Sequence, residues 1–301
     1  MEEKQIKMET VRIGDVNLCY EIFGEKNTEN IILISGLGSQ MIRWDTAFCN
    51  LLVEKGFRVI RFDNRDSGSS VFNAKREIPA DKSIEEVFSV FSKEGIPYSL
   101  MDMANDVIGL LDYLKIEKAH ITGRSMGGII SQILASYYPE RVLSLTIIMS
   151  TSLNPSLPKP DPEIMAMMTQ ASSDPDLHKE EYFREKLRFA EKISGSGYLF
   201  DPGQEKALLE KELTRSRTKN GIIRQLLAIG SFQYNPDILK KITAPTMIIH
   251  GTDDLIFHPD CGKDIADSIS DAEWILINGM GHSIPVELYD FISNKISGLT
   301  K

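Results

Sequence analysis

The sequence is organised around Ala119-His120-Ile121-Thr122-Gly123-Arg124-Ser125-Met126-Gly127-Gly128. A short β-prone run precedes Gly123, and a long apolar run at 129–135 is typical of a buried helix. Gly-x-Ser-x-Gly between a strand and a helix is typical of a sharp turn that exposes a serine hydroxyl. Side chains at 123 and 127 would collide with the helix and the strand, which explains glycine at both positions. The pattern predicts that Ser125 is a nucleophile; the alternative is a chance Gly/Ser-rich turn.

Composition limits the kind of protein that the chain can form. The 301 residues are enough for one large α/β domain, with or without an insertion. Apolar residues make up 42% and charged residues 26%, as in ordinary globular domains. The formal net charge is -9, so we expect no nucleic-acid partner.

Three features concern the cellular compartment. The cysteines, Cys19, Cys49 and Cys261, are widely spaced and match no metal-ligand pattern, and their odd number favours a reducing compartment. The N-terminus is polar and no apolar segment follows it, so we expect no signal peptide. No stretch approaches the roughly 18 apolar residues of a membrane span. The sequence therefore predicts a cytoplasmic protein without a membrane span.

The order of strands and helices predicts a mostly parallel sheet. Residues 9–23 predict a hairpin, and the continuous apolar run at 31–34 predicts a strand buried on both faces. Strands then alternate with helices, which is typical of a parallel α/β sheet. The remaining predicted strands lie at 58–62, 120–122, 143–149, 245–250 and 272–277. Residues 73–97 are weakly patterned and predict a loop with a short helix.

Residues 152–235 interrupt this alternation and predict a helical cap. A Pro-rich linker precedes Asp161-Pro162, which predicts an N-cap and the first residue of a helix. The sequence thus divides into a first core part at 1–151, the cap at 152–235 and a second core part at 236–301. Met165 and Met168 are candidates for an adaptable apolar substrate pocket; alternatively, they pack the cap's own core. The predicted cap helices lie at 162–171, 179–193, 204–216 and 219–230.

A nucleophilic serine needs a base, and the base needs an orienting group. Where the nucleophilic serine lies on a Gly-x-Ser-x-Gly turn between a strand and a helix, the chain order is serine, acid, histidine. His282 follows a strand in the Gly-rich run Gly279-Met280-Gly281, whose small residues let the ring approach the serine. Two carboxylates, Asp253 and Asp254, follow the preceding strand, and only one can orient the histidine. The other histidines lie in strand patterns, the cap or a loop: His120, His250, His178 and His258.

Acyl transfer also needs donors for the oxyanion. One is the backbone N–H of Met126, directly after the serine and at a helix N-terminus that favours negative charge. The second should come from the turn after the strand at 31–34, where Leu37 N–H is the candidate. The alternative is a plain glycine turn.

Six segments carry a resemblance to a known family. They are Ser35-Gly36-Leu37-Gly38, Asp63-Asn64-Arg65-Asp66-Ser67-Gly68-Ser69-Ser70, Gly123-Arg124-Ser125-Met126-Gly127-Gly128, Tyr138-Pro139-Glu140-Arg141-Val142, Gly251-Thr252-Asp253-Asp254 and Gly279-Met280-Gly281-His282. Together they resemble the α/β-hydrolase superfamily over essentially the whole chain. The D-x-R-D-x-G variant at 63–68 and the serine turn at 123–127 are similar to the branch that contains aclacinomycin methylesterase and related carboxylesterases. Ser35 stands where histidine is usual, and Asp66 where glycine is usual. The family's G-x-x-D pattern favours Asp254 over Asp253.

The resemblance implies an α/β-hydrolase fold with a mostly parallel eight-stranded sheet, flanking helices and an inserted helical cap. It implies a serine esterase that cleaves a small-molecule carboxylic ester through an acyl-enzyme, with Ser125, His282 and Asp254 as a triad and without metal or organic cofactor. A cofactor-free perhydrolase or a C–C bond hydrolase would keep the same triad. A ligand receptor or sensor on the same fold is an alternative of another class. A haloalkane dehalogenase would carry an aspartate nucleophile instead. The sequence indicates no oligomeric state.

Overall fold

The described residues form a nine-stranded sheet. The computed structural model describes residues 7–72, 78, 84–170, 172–216 and 220–300. The first two strands form an antiparallel hairpin, and the six from β3 to β9 other than β5 pair in parallel. The strands are β1 (Glu9–Ile13), β2 (Val16–Phe23), β3 (Glu29–Ile34), β4 (Phe57–Phe62), β5 (Val71–Phe72), β6 (Ala119–Arg124), β7 (Val142–Ile148), β8 (Thr246–Gly251) and β9 (Glu273–Ile277).

The strand order creates a crevice at the carboxyl edge of the sheet. The order is β1-β2-β4-β3-β6-β7-β8-β9, with β5 paired to β2. The direction of winding reverses between β3 and β6, which is where open α/β sheets bind ligands. These two strands pair from Ile31–His120 to Ile34–Gly123. The turns that follow them therefore lie side by side.

Helices cover both faces of the sheet. Ile32 and Ile34 of β3 belong to one apolar cluster and Ile31 and Leu33 to the other, so the strand is buried on both faces, as predicted.

Among the described residues, no helix has both the length and the apolar character that a membrane crossing requires. The helices are α1 (Thr46–Glu54), α2 (Ile84–Glu94), α3 (Leu100–Tyr113), α4 (Met126–Tyr137), α5 (Pro162–Thr169), α6 (Lys179–Ile193), α7 (Pro202–Arg215), α8 (Gly221–Gly230), α9 (Asp237–Lys240), α10 (Pro259–Ser268) and α11 (Tyr289–Leu299).

The eight predicted strands are β1 to β4 and β6 to β9, and β5 is an addition. It has only two residues, too few for a periodic pattern to indicate it.

Asp161 caps α5 with Pro162 directly after it, as predicted. Within the predicted loop at 73–97, residues 84–94 form α2; residues 73–77 and 79–83 lie outside the described residues.

Residues 152–235, here called the helical insertion, lie between β7 and β8 and contain α5 to α8, with no strand among their described residues. Ion pairs attach the insertion to the core. Arg43 contacts Glu212 at 2.8 Å and Glu205 at 3.0 Å, both on α7. Arg215 contacts Asp63 at 3.0 Å. The insertion therefore lies over the carboxyl edge, where the turns after β3 and β4 end.

The Asp66–Arg224 pair is an almost completely buried attachment of the insertion. Arg224 of α8 donates two hydrogen bonds of 2.7 Å to the carboxylate, and the Tyr98 hydroxyl donates a third of 2.9 Å. The Asp66 and Arg224 side chains are only 2% and 9% exposed. Asp66 has a φ of 66°, in the left-handed region that glycine favours and aspartate tolerates. Its carboxylate accounts for the departure from glycine, because it binds the insertion.

Breaking this pair should destabilise the fold. We expect Arg224→Met to lower the free energy of unfolding by about 3–5 kcal/mol, because the buried Asp66 carboxylate loses both hydrogen bonds from the guanidinium. Adding Asp66→Gly should recover at least about 1 kcal/mol, since this carboxylate is then no longer buried without the guanidinium. Urea denaturation of the single and double variants measures both effects. A single variant as stable as the wild type would contradict the expectation.

Candidate active site

The turn between β6 and α4 presents Ser125 at the crevice. Its backbone has a φ of 53° and a ψ of −126°, a conformation that costs about 1–3 kcal/mol. The Ser125 N–H donates to the Ile148 carbonyl at 3.0 Å. The Ser125 carbonyl accepts from the Gly128 N–H at 2.8 Å and from the Ser150 hydroxyl at 2.7 Å. These contacts hold the strained residue, and the predicted strand–turn–helix setting is confirmed.

Two glycines permit this turn. A Cβ at Gly123 would lie 2.3 Å from the Gly127 carbonyl oxygen, and one at Gly127 would lie 2.2 Å from the Ile34 carbonyl oxygen. Neither distance is possible for a real side chain. The predicted steric reason for both glycines is therefore confirmed, and α4 packs against β3 and β6 at backbone distance.

His282 bridges the serine and an acid. Its Nε2 lies 2.9 Å from Ser125 Oγ, and its Nδ1 lies 2.7 Å from Asp254 Oδ2. Because a carboxylate only accepts, the hydrogen belongs on Nδ1, and Nε2 accepts from the serine hydroxyl. The His282 and Asp254 side chains are 7% and 0% exposed. The fold thus brings together the serine, histidine and acid that the sequence predicts.

Asp254 is held as a carboxylate. Its Oδ1 accepts from the N–H groups of Ile256 and Phe257, both at 2.9 Å. Burial alone would raise its pKa, but the charge of His282 and hydrogen bonds from His250 and His282 outweigh burial and lower the pKa below its usual range. Asp254 therefore stays ionised next to His282, as an orienting carboxylate in a serine–histidine–acid arrangement requires.

Asp253 has other partners. Its Oδ2 accepts from the Ser196 N–H at 3.0 Å and from the Ser196 hydroxyl, and its Oδ1 accepts from the Thr252 hydroxyl at 2.8 Å. These hydrogen bonds, the Ser196 hydroxyl first, lower its pKa. Asp254, and not Asp253, contacts His282. Residue types alone could not separate the two acids, because both directly follow β8.

His250 is a second histidine at the acid. Its strand pattern indicates only a core or strand-end residue, and the side chain is indeed fully buried. Its Nε2 lies 2.8 Å from the Phe257 carbonyl oxygen and 3.3 Å from Asp254 Oδ2. Both atoms only accept, so Nε2 carries the hydrogen. His250 therefore holds the loop after Asp254 and adds a donor to the carboxylate.

The turn after β3 lies against the nucleophile. The Ser39 N–H donates to the Gly36 carbonyl at 3.2 Å, and Gly38 has a φ of 63°, so Leu37 and Gly38 are the central residues of a β-turn. A Cβ at Gly36 would lie 3.1 Å from Ser125 Cβ.

The two predicted oxyanion donors belong to the two turns that meet at the serine. Leu37 is in this turn, and Met126 is the first residue of α4. Within the part of the chain that the structure describes, neither N–H donates to a protein acceptor. Their role as oxyanion donors stays a prediction.

Gln225 of the insertion fixes the same turn. Its Oε1 accepts from the Gly38 N–H at 2.8 Å, while its Nε2 donates to the Arg65 carbonyl at 2.7 Å and to the Ser67 hydroxyl at 3.0 Å. The side chain is completely buried. The sequence did not indicate this residue, because an amphipathic helix pattern does not say which polar side chain points inward.

Arg124 directly precedes the serine, and the two candidate pocket residues, Met165 and Met168, lie in the insertion. The Arg124 guanidinium lies 5.0 Å above the ring of Trp44, and burial together with the nearby charge of Arg43 lowers its pKa to about 10. Met165 is 41% exposed on α5, and Met168 is half-buried on the same helix. Their contact with a substrate stays a prediction.

Known proteins resemble the chain over nearly its whole length. Rhodomycin D methylesterase DnrP from Streptomyces peucetius is 25% identical over 308 residues, which cover 95% of this chain and 96% of the relative. Proline iminopeptidase from Lactobacillus helveticus (strain DPC 4571) is 25% identical, with 90% of each chain covered. The enol-lactonase from Burkholderia xenovorans LB400 has a solved structure that superposes with a TM-score of 0.70 at 22% identity, covering 97% of this chain and 99% of that one.

The sequence profile of one family, described as alpha/beta hydrolase fold, matches residues 29–287. The matched region runs from β3 to the segment just after His282, and it includes the strand reversal, the serine turn and the helical insertion. The solved enol-lactonase supports the same fold. The protein therefore belongs to the alpha/beta hydrolase fold family.

Proposed function

We propose that the protein is a serine hydrolase that cleaves a carboxylic ester of a small molecule through an acyl-enzyme. The observation that carries the proposal is the hydrogen-bonded series Asp254–His282–Ser125, with 2.7 Å and 2.9 Å between its members. The likeness to a methylesterase supports an ester as the substrate class.

The first half-reaction transfers the acyl group to the serine. His282 Nε2 takes the proton of the Ser125 hydroxyl while Oγ attacks the ester carbonyl carbon. The carbonyl oxygen becomes an oxyanion, which the N–H groups of Leu37 and Met126 stabilise. His282 then gives its proton to the departing alkoxide, which leaves as an alcohol.

The second half-reaction returns the free enzyme. A water molecule gives its proton to His282 and attacks the acyl carbon, and the proton passes to Ser125 Oγ as the acid leaves. Asp254 keeps the imidazole in one tautomer through both halves and stabilises its positive charge.

The helical insertion acts in this proposal as a cap over the substrate. It lies over the carboxyl edge through ion pairs such as Asp66–Arg224. Ligand pockets are mostly apolar with few polar groups, so apolar side chains from the insertion would form walls for the acyl or alcohol part. We assign this role to Met165 and Met168.

Ser125 should be the residue that reacts with a fluorophosphonate. Its hydroxyl contacts His282, which activates it. Mass spectrometry of the labelled, digested protein should place the adduct on Ser125, and Ser125→Ala should not be labelled. Turnover of nitrophenyl esters should accompany labelling. Labelling of a different serine would contradict the assignment, and labelling with only a single slow turnover would favour the ligand receptor.

The two adjacent acids should differ sharply in their effect on turnover. Asp254→Asn should lower kcat by about 10⁴, because an amide lets the imidazole adopt the wrong tautomer. Asp253→Asn is the matched control and should cost far less, because its carboxylate contacts Ser196 and Thr252 rather than the imidazole. Steady-state kinetics with one nitrophenyl ester gives both values. The reverse ranking would mean that Asp253 orients the base.

Met165→Ala and Met168→Ala should change the preference among ester chain lengths. A lost apolar contact changes discrimination by about 1–3 kcal/mol at most. The measurement is kcat/KM for acetate, butyrate and octanoate esters, and acetate turnover should largely survive. Leu199→Ala, at an insertion residue that is 87% exposed, is the control and should leave the preference unchanged. An equal, large loss for all three esters would contradict a role confined to substrate choice.

A further inference from the structure

A segment of the helical insertion pairs with the loop that carries the histidine. Residues 193–197, which begin at the last residue of α6, run antiparallel to residues 279–282. The Gly197 N–H donates to the Gly279 carbonyl at 2.9 Å, and the Gly281 N–H donates to the Ser194 carbonyl at 3.1 Å. A third hydrogen bond, of 2.6 Å, runs from the backbone N–H of His282 itself to the carbonyl at 193. We name these two segments together the glycine clamp.

Glycines allow the two backbones to touch. A Cβ at Gly195 would lie 2.4 Å from the Gly279 carbonyl oxygen, and one at Gly197 would lie 2.8 Å from Gly279 Cα. A Cβ at Gly281 would lie 2.2 Å from the carbonyl oxygen of Ile193. No side chain fits between the segments, so the position of one backbone fixes the position of the other.

The carboxylate of Asp253 joins the clamp to the loop of the triad acid. It accepts from the backbone N–H and the hydroxyl of Ser196 in the insertion. It also accepts from the Thr252 hydroxyl, which in turn accepts from the Gly279 N–H at 2.8 Å. The Asp253 N–H donates to the Met280 carbonyl at 3.0 Å. The insertion, the acid loop and the histidine loop therefore meet at one side chain.

We infer that the glycine clamp positions His282 for catalysis, with Ser196, Gly197 and Asp253 as its positioning residues. The inference rests on the proposed role of His282 as the base for Ser125. The histidine loop contains Gly279 and Gly281, which restrain their own backbone least. Asp254 orients the imidazole through Nδ1, and the clamp fixes the backbone that carries this ring, with Nε2 at 2.9 Å from Ser125 Oγ.

A positioning role differs from a role in substrate choice. A side chain in a pocket wall favours one ester over another. A displaced His282 removes a proton less well from the serine whatever the substrate is, and a 1 Å misplacement can cost about 10²-fold in rate. Loss of the clamp should therefore affect all esters alike, together with the reaction of Ser125 with a fluorophosphonate.

Gly197→Ala tests the spacing, because Gly197 does not have the positive φ that disfavours alanine. Its new methyl group would lie too near Gly279 Cα and must push the segments apart. Ser196→Ala removes one donor to Asp253 and adds no bulk. Gly298→Ala, where a Cβ meets open space, and Ser231→Ala, whose hydroxyl donates to Ala228 in the last turn of the preceding helix, are the matched controls.

The readouts are the rate constant and the final extent of fluorophosphonate labelling, with kcat and KM for acetate and octanoate esters. Gly197→Ala should lower the labelling rate constant and both kcat values by about 10- to 100-fold at full extent of labelling. Ser196→Ala should lower them by about 3- to 10-fold. The controls should stay within about twofold of the wild type. A merely structural role would lower the extent of labelling and leave the rate constant unchanged.

Wild-type rate constants at full extent of labelling in both clamp variants would overturn the inference, as would a loss confined to the octanoate ester. If Gly197→Ala does not fold, Ser196→Ala decides by the same criteria. Absence of labelling in the wild-type protein would overturn the proposed function itself, and the role of the clamp with it. The two failures are therefore distinguishable.

Discussion

The close approach of α4 to β3 and β6 is the constraint on which the site depends. Gly127 lies so near the Ile34 carbonyl that even a methyl group is excluded. This approach bends the chain at Ser125 into a positive φ and points the N-terminus of α4 at the strand reversal. Once the serine is fixed there, the acid and the histidine must come from the carboxyl ends of β8 and β9, which lie on the same edge.

The sequence was sufficient for the fold and for much of the site, because the signals are local. A continuous apolar run predicts β3, and the glycines around Ser125 predict the turn. The adjacent acids were harder, since neighbouring residues after one strand have equal access to the edge. The family's G-x-x-D pattern favours Asp254, and the tertiary contacts give the physical reason: Asp254 contacts His282, and Asp253 contacts Ser196.

Contacts between distant parts of the chain could not be predicted in this way. Gln225 reaches Gly38 across 187 positions, and Arg224 reaches Asp66 across 158. A helical pattern tells which face is apolar, but it does not say which polar side chain finds a buried partner. The backbone contact of Gly197 with Gly279 is harder still to predict from the sequence, because neither glycine has a side chain that would indicate a partner.

Both departures from the family pattern lie in turns at the carboxyl edge of the sheet, and the helical insertion contacts both turns. Asp66 replaces a glycine and binds Arg224 of α8. Ser35 replaces a histidine, and its hydroxyl has no hydrogen-bond partner among the described residues. Its carbonyl accepts instead from Asn64 at 2.9 Å, while Gln225 holds the other side of the turn through Gly38. The turn after β3 is therefore fixed in part from the insertion. The histidine loop is held from the insertion as well. Changes in the insertion that suit a new substrate must leave both attachments in place.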